Sequence, residues 1–317
     1  MKKILFIIPY FGKFNNYFSW WLKSCKYNPT IDWLLLTDCR DSYNYPPNVH
    51  VQYTTFKELK ERFEKCLKMN IAITKPYKFC DLRPAFGEVF KEECSRYDFW
   101  GHCDVDLIFG DIRSFLTDRI LDEFDRISTW GHMSLYKNAP YMNNLFREKN
   151  DCIPHYTEVF SSDVAYCFDE VGMRNICAAK KIKVLNTAEM IFNIDWKKKV
   201  YAPLYWGNDK KFRYVFNWNE GRLTTSIFDG SSINEREILY VHFQKRKIQN
   251  RAEDSNSLFI YSDILSSEKI KLSPLNFRTY AKKSIVDCTM FWYYLDKILV
   301  KLSLKKGTSF YTYRINK

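Results

Sequence analysis

The sequence predicts an α/β fold in which helices cover both faces of a mixed, mostly parallel sheet. Two observations predict this class. Short, continuous apolar runs occur in the first half, as is typical of strands that are buried on both faces. Segments whose apolar residues recur at helical spacing alternate with these runs. With 317 residues, of which 46% are apolar, the chain is long enough to bury a substantial core.

The first half contains four predicted strands, at residues 3–8, 32–37, 49–53 and 97–103. Three predicted helices lie between them, at residues 14–25, 56–67 and 86–94. In a sheet of this type, ligands bind at the carboxyl ends of the strands. Tyr10, the pair Thr37 and Asp38, and the pair Asp104 and Asp106 all follow predicted strand ends, which gives the first indication of a site.

The second half is less regular. Residues 126–130 and 181–185 are predicted strands, residues 168–179 are a predicted helix, and residues 219–222 are a predicted turn. Further along the chain, apolar residues recur at helical spacing over residues 285–302, which predicts a helix in the C-terminal segment.

The charge of the chain favours anionic partners, because the net charge is +12. Residues 281–317 contain eight Lys or Arg and two Asp, so half of this excess lies in the last part of the chain. The same segment includes four consecutive aromatic residues, 291–294, and this combination is typical of a membrane surface that carries anionic lipids. The alternative is a helix that packs on the protein with its lysines in solvent.

The ten cysteines include no Cys-x-x-Cys pair, which excludes a zinc ribbon or a thioredoxin motif. No secretory leader is evident, since the first apolar run ends at Pro9, and no run approaches the roughly 20 residues of a membrane span. We therefore expect reduced thiols and a cytoplasmic protein, associated peripherally with the inner face of the cell membrane.

The strongest local motif is Asp104-Val105-Asp106. On an extended segment, side chains two residues apart point the same way, so the two carboxylates face one side and Val105 faces the core. A hard divalent cation prefers such oxygen ligands and keeps other positions for water and phosphate. The alternative is a solvated turn at a strand end. Gly101 and Gly110 flank the motif and suggest a close approach of the backbone to a ligand.

Four segments occur in a characteristic order. They are Ile-Pro-Tyr-Phe-Gly at residues 8–12, Tyr-Lys-Phe-Cys-Asp-Leu-Arg-Pro-Ala-Phe-Gly at 77–87, Gly-His-Cys-Asp-Val-Asp at 101–106 and Tyr-Val-His-Phe-Gln-Lys-Arg at 240–246. The set resembles bacterial GT-A glycosyltransferases of capsule, O-antigen and lipopolysaccharide gene clusters, over roughly residues 3–250. Its late His is also similar to the arrangement in glycogenin-like and lipopolysaccharide galactosyltransferase-like enzymes.

The resemblance implies a GT-A-type, Rossmann-like catalytic domain at residues 1–254. Its nucleotide-binding half is about residues 1–110 and its acceptor half about 111–254, and a basic, aromatic, helical extension follows at 255–317. The implied activity is transfer of a sugar from a nucleotide-sugar donor, expected to be UDP-linked. The implied acceptor is a bacterial surface polysaccharide or a lipid-linked glycan.

The resemblance also implies the metal ligands, which are Asp104, Asp106 and His242. A neutral imidazole suits Mn²⁺, and Mg²⁺ is the other candidate. The alternative for His242 is a strand-end histidine whose ring is satisfied by the backbone.

Residues that match donor contacts of the family come from four places in the chain, and they are Tyr10, Thr37, Asp38, Lys78, Asp81, Arg83, Lys245 and Arg246. Arginine and lysine side chains can grip a diphosphate, aspartate accepts from sugar hydroxyls, and tyrosine can stack on a base. The alternatives are ordinary packing for Tyr10, a cap for Asp38, an internal ion pair for Lys78 or Arg83 with Asp81, and solvated cations near residue 245.

The acceptor side is implied by two short segments. Asp169 or Glu170 is the candidate base that an inverting enzyme needs to deprotonate the acceptor hydroxyl, and a retaining enzyme would not need it. The alternative is a cap or a solvated position on the following helix. Trp130 and His132 match positions where related enzymes begin the acceptor site, and structural roles are the alternative for both.

Two other function classes stay open. The positive charge and the aromatic residues also suit a nucleic-acid-binding protein, but no helix-turn-helix, RNA-recognition or zinc motif is evident, so we expect no nucleic acid partner. A metal-dependent phosphohydrolase or nucleotidyltransferase could use the same carboxylates. Such enzymes usually need more clustered acids or a Gly-rich phosphate loop, and the sequence contains neither.

Overall fold

The structure is a computed structural model that describes residues 1–149, 151, 153–194, 213–244, 247–261, 263–268 and 270–281. Its strands, in chain order, are β1 (Ile4–Tyr10), β2 (Ile31–Thr37), β3 (Val49–Tyr53), β4 (Phe99–Cys103), β5 (Leu107–Phe109), β6 (Arg126–Trp130), β7 (Met133–Lys137), β8 (Val184–Leu185), β9 (Ile191–Asn193), β10 (Arg213–Asn219), β11 (Arg222–Phe228), β12 (Ile233–Glu237), β13 (Tyr240–His242), β14 (Gln249–Asn250), β15 (Ser257–Tyr261) and β16 (Ile264–Ser266).

The α-helices are Phe18–Lys26, Phe56–Leu67, Phe79–Leu82, Phe86–Val89, Lys91–Cys94, Ile112–Phe115, Asp118–Glu123, Pro140–Asn143, Tyr156–Ser161, Met173–Ala179 and Phe277–Tyr280. Short 3₁₀ turns occur at Pro76–Lys78, Arg83–Ala85 and Leu145–Arg147, and a π-helical turn at Phe168–Gly172. Among the described residues, no helix is both long enough and apolar enough to cross a membrane.

The main sheet has seven strands in the order β3-β2-β1-β4-β7-β6-β8. Strands β1 to β4 are parallel to one another, β8 is parallel to β6, and β7 runs antiparallel to both β4 and β6. The predicted fold class, a mixed and mostly parallel sheet flanked by helices, is therefore confirmed.

Apolar residues cover both faces of this sheet, which explains the continuous apolar runs. Leu5 and Ile7 of β1 pack into one buried cluster, whereas Ile4, Phe6 and Ile8 pack into another on the opposite face. Because successive side chains of a strand point to opposite faces, a strand between two helical layers needs apolar residues at every position.

The helix Phe56–Leu67 begins at a capping box. The Thr55 hydroxyl accepts a hydrogen bond from the Glu58 backbone N–H at 3.1 Å, and the Glu58 carboxylate accepts one from the Thr55 N–H at 2.7 Å. The helix buries Leu59 and Phe63 against the sheet, as their spacing predicts.

A small three-stranded sheet, β5-β13-β9, positions the acidic motif against the late histidine segment. β13 is its central strand and pairs antiparallel with β5 and parallel with β9. In this register His242 lies opposite Leu107 on one side and Asn193 on the other. Since β5 begins directly after Asp106, the pairing brings His242 beside the acidic motif.

The third sheet has six strands in the order β12-β11-β10-β15-β16-β14. Trp218 of β10 is fully buried, and its ring N–H donates to the Phe109 carbonyl of β5 at 2.9 Å. This contact joins the six-stranded sheet to the small sheet that carries His242.

Three predicted elements differ in the structure. The predicted helix at 86–94 is two short helices, and the predicted helix at 168–179 begins as a π-helical turn. Gly172 ends that turn and packs closely, since a Cβ atom there would lie 2.4 Å from Ile153 Cδ1. The predicted strand at 181–185 is shortened to Val184–Leu185.

The C-terminal segment begins as part of a sheet. β15 pairs with β10, so the predicted boundary at residue 254 falls between strands of one sheet, and the segment is not helical from its start. The helix predicted at 285–302 and the basic segment from residue 282 onward lie outside the described residues.

Candidate metal centre

The acidic motif follows the end of β4, and hydrogen bonds between its backbone and two other segments hold it in place. The Asp104 N–H donates to the His132 carbonyl at 2.9 Å, and the Asp106 carbonyl accepts from the Phe243 N–H at 3.0 Å. Val105 is buried between them, as the alternation predicts. The two carboxylates are partly exposed and so lie at the protein surface. The backbone that carries them is fixed by the hydrogen bonds above.

His242 completes a cluster with these carboxylates. The His242 side chain is 8% exposed, and its Nε2 lies 3.3 Å from Asp106 Oδ1 and 3.8 Å from Asp104 Oδ2. One ligand atom from each of the three residues lies within 4.8 Å of the others. Two carboxylates and an imidazole suit a divalent cation such as Mn²⁺ or Mg²⁺.

The other ring nitrogen of His242 is fixed by Asn193. His242 Nδ1 lies 2.9 Å from Asn193 Oδ1. Because an amide oxygen only accepts, Nδ1 carries the proton in this pair, and Nε2 is the ring nitrogen that faces the carboxylates. Burial lowers the pKa of His242, but the charges of Asp106 and Asp104 outweigh burial and raise it. Outer contacts of this kind orient metal-binding histidines in proteins.

His132 lies behind His242 and is buried. The two ring centroids are 4.5 Å apart, and His132 Nδ1 lies 2.8 Å from the Tyr240 hydroxyl. Burial, and the nearby charges of His242 and Arg83, lower the pKa of His132 well below its usual value, so its ring is neutral. This buried position is consistent with the structural role that the sequence left open as the alternative, and an acceptor contact of His132 stays a prediction.

Trp130 is half-buried at the end of β6, with its ring parallel to that of His132 at 6.4 Å between centroids. Its predicted acceptor contact stays a prediction.

Arg83 links the acidic motif to the predicted base. One guanidinium nitrogen contacts Asp104 Oδ1, and the other lies 3.1 Å from Asp169 Oδ2 and 2.5 Å from the Gly131 carbonyl. The Arg83 side chain is only 13% exposed. A single cation therefore bridges a candidate metal ligand and a candidate base.

Asp169 and Glu170 lie against Gly131. Glu170 Oε1 accepts from the Gly131 N–H at 2.7 Å, and a Cβ atom at this glycine would lie 2.7 Å from Glu170 Oε1 and 2.9 Å from Asp169 Oδ2. Only a glycine lets the backbone approach both acids this closely. Burial raises the pKa of Asp169 above its usual range, Glu170 raises it further, and Arg83 opposes the shift.

Lys78 and Asp81 form a buried ion pair, which is the internal alternative that the sequence left open. Their side chains are 3% and 2% exposed, and Lys78 Nζ lies 2.8 Å from Asp81 Oδ2. The same ammonium donates to the carbonyls of residues 159 and 164, and Asp81 accepts from the backbone N–H groups of residues 166 and 168. The pair therefore fastens the segment that leads to Asp169, and a direct donor contact stays a prediction.

The residues at the carboxyl ends of β1 and β2 lie at the same edge of the sheet. Tyr10 stacks on Phe14 at 4.7 Å, and its hydroxyl donates to the Lys13 carbonyl at 3.1 Å. Burial and the charge of Asp106 raise the pKa of Tyr10. Asp38 is exposed and accepts from the Gly12 N–H at 2.7 Å. Thr37 is fully buried, and its hydroxyl accepts from the backbone N–H of residue 39.

Lys245 and Arg246, the other predicted donor contacts, lie outside the described residues. The structure adds site residues that the sequence did not suggest, including Asn193, Gly131 and Arg126. Arg126 is fully buried and donates to the Asp169 carbonyl at 3.0 Å. The sequence signal for this role of Arg126 was an arginine at the start of the strand predicted at residues 126–130.

The fold and the site define a class of protein, an α/β protein with a carboxylate and histidine cluster at the edge of a mostly parallel sheet. The chain belongs to a family of unknown function, DUF6625, whose model matches residues 6–272. No curated protein sequence matches this chain.

Solved structures similar to the chain include the galactosyltransferase LgtC in complex with donor and acceptor sugar analogs, at 12% identity and a TM-score of 0.33. An active-site mutant of LgtC matches at 11% identity with the same TM-score. Each match covers 60% of this chain and 75% of the other.

Replacing Asn193 by alanine should weaken metal binding. The variant loses the oxygen that fixes the His242 ring, and loss of such an outer contact typically lowers metal affinity by about 10- to 100-fold. Isothermal titration with Mn²⁺ measures this change. Asn143→Ala, which alters a side-chain amide bonded to Asn138 away from the cluster, is the control. Equal affinity of Asn193→Ala and wild type would contradict the role of Asn193.

The Asp81→Asn variant should be destabilised by about 3–5 kcal/mol, because it leaves the Lys78 ammonium buried without a counter-charge. Urea denaturation measures the free energy of unfolding. Glu61→Gln is the matched control, since its partner Lys57 is 85% exposed and the pair is expected to contribute less than about 1 kcal/mol. A small effect at Asp81, similar to that at Glu61, would argue against a fastening role.

Proposed function

We propose that this protein is a metal-dependent GT-A-type glycosyltransferase that moves a sugar from a nucleotide-sugar donor, with UDP as the expected nucleotide. The observation that carries the proposal is the cluster of Asp104, Asp106 and His242 at the edge of the sheet. Clusters of oxygen and imidazole ligands hold a divalent cation, and the neighbouring strand ends supply the room and the contacts for a nucleotide.

The three side chains fit a resident divalent cation by their chemistry. Asp104 and Asp106 supply carboxylate oxygens, and Asn193 holds the His242 ring so that Nε2 faces them. When bound, such a cation neutralises negative charge on a departing diphosphate. The imidazole ligand favours Mn²⁺ over Mg²⁺.

The donor would lie along the carboxyl ends of β1 and β2, close to the cation. Tyr10 offers a ring at the end of β1, and Asp38 is an exposed acceptor just after β2. Arg83 supplies a guanidinium beside Asp104, which can grip a phosphate. Lys245 and Arg246 follow the ligand strand β13 by a few residues and are proposed as further phosphate contacts.

The acceptor would approach from the side of Asp169 and Glu170. In an inverting reaction one of these acids takes the proton from the acceptor hydroxyl. Asp169 suits this role because burial raises its pKa, which makes the carboxylate a better base, while Arg83 fixes its orientation. We propose a bacterial surface polysaccharide or a lipid-linked glycan as the acceptor.

The Asp104→Ala and Asp106→Ala variants should lose metal-dependent UDP release from a panel of UDP-sugars, with rates at least about 100-fold lower, because each removes a charged ligand. Wild type should also lose activity in EDTA and recover it with Mn²⁺. Asp111→Ala, an exposed helix cap outside the cluster, is the control. Release of inorganic phosphate in place of UDP would favour the phosphohydrolase alternative, and unchanged activity of both variants would refute the metal site.

We propose that the protein acts at the cytoplasmic face of the membrane, where a lipid-linked acceptor would be available. The support is the sequence of residues 281–317, whose lysines and aromatic residues suit anionic lipids. The full chain should float with vesicles that contain anionic phosphatidylglycerol and much less with neutral vesicles. A chain that ends at residue 281 should lose this binding, and equal flotation of the two chains would contradict the proposal.

A further inference from the structure

The Asp104 carboxylate is shared between two partners. Its Oδ1 contacts the Arg83 guanidinium, while its Oδ2 faces His242 Nε2 at 3.8 Å. Asp106, in contrast, directs Oδ1 to His242 at 3.3 Å. A cation held by this cluster would therefore take Asp104 together with an arginine that is already bound to it.

The Arg83 guanidinium has little freedom to move away from Asp104. Its side chain is 13% exposed and is also held by Asp169 at 3.1 Å and by the Gly131 carbonyl at 2.5 Å. A second cation, the fully buried Arg126, donates to the Asp169 backbone on the far side. The positive charge beside Asp104 is thus a fixed part of the site.

Fixed positive charge beside a metal ligand weakens the binding of a metal cation. Charges that are partly removed from water interact more strongly than charges in bulk solvent, so the repulsion between Arg83 and a divalent ion on the same carboxylate is not fully screened. An anion that contacts both positive groups removes this repulsion. A diphosphate is such an anion, because its oxygens bind a divalent ion and match the fork of a guanidinium.

We propose that Arg83 makes cation binding depend on the diphosphate, so that the site holds a divalent ion tightly only when a nucleoside diphosphate is also bound. This inference rests on the proposed function and adds a regulation to it. Arg83 is a positioning residue that couples two ligands through Asp104. By linkage, the cation raises the affinity for the diphosphate by the same factor as the diphosphate raises the affinity for the cation.

Isothermal titration measures the coupling directly. Mn²⁺ is titrated into wild type alone and into wild type saturated with UDP, and UDP is titrated with and without Mn²⁺, with free concentrations corrected for the Mn²⁺–UDP complex. We expect a coupling factor within the range of about 5- to 150-fold that is typical of linked sites. In Arg83→Met, Mn²⁺ alone should bind more tightly than in wild type, and the coupling factor should fall by about tenfold.

Two further variants keep the test decisive. Arg83→Met leaves Asp169 buried without its guanidinium partner, so the double variant Arg83→Met/Asp169→Asn removes both charges and should show the same fall if the single variant does not fold. Arg62→Met is the matched control, because Arg62 also pairs with a carboxylate at 2.7 Å but lies away from the site. It should keep the wild-type coupling.

The outcomes separate this inference from the proposed function. Wild-type protein that binds neither Mn²⁺ nor UDP would refute the proposed function. Wild type that binds both, with the same coupling factor in the folded Arg83 variants, would overturn the inference alone. A fall in coupling for Arg62→Met as large as that for Arg83→Met would also overturn it, because the effect would then be one of net charge.

Discussion

The register of β13 between β5 and β9 is the constraint on which the site depends. β5 begins directly after the acidic motif, so its pairing with β13 fixes where His242 can lie. The hydrogen bond from the Phe243 N–H to the Asp106 carbonyl extends this pairing to the motif itself. A slip of one residue would turn His242 to the other face of the small sheet and dismantle the cluster.

The second determinant of the site is the balance of charge among acidic and arginine side chains that are largely shielded from solvent. Asp104, Asp169 and Glu170 lie close together, and such a group of acids would repel one another without compensation. Arg83 and Arg126 supply that compensation from inside the protein, one through two side-chain contacts and the other through a backbone carbonyl. The buried Arg126 guanidinium is stabilised by three neighbours, which are the Tyr136 ring, the Cys177 sulfur and the Asp169 carbonyl.

Sequence patterns predicted β1 to β4, β6 and β8 of the main sheet but not β7, and two of the three residues of the cluster. β1 and β2 were predictable because their continuous apolar runs are typical of strands buried on both faces, and the alternation of Asp104 and Asp106 around Val105 set their common direction. Periodicity could not place His242, since its partner strand is more than 130 residues away in sequence; only the resemblance suggested it. Asn193 and Gly131 carry no local signal, because their roles arise from contacts between distant segments. The spacing of Lys78 and Asp81 allowed an ion pair, but its burial depends on loop carbonyls that no local pattern reveals.

The short stretch from Lys78 to Arg83 has a consequence for altering this protein. Within six residues it fastens the loop before Asp169, holds the Asp169 carboxylate and holds Asp104. The candidate metal ligand Asp104 and the candidate base Asp169 are thus mechanically one unit, because a change within this stretch would disturb both. A change that leaves this unit intact would have to come from side chains outside it, such as the half-buried Trp130.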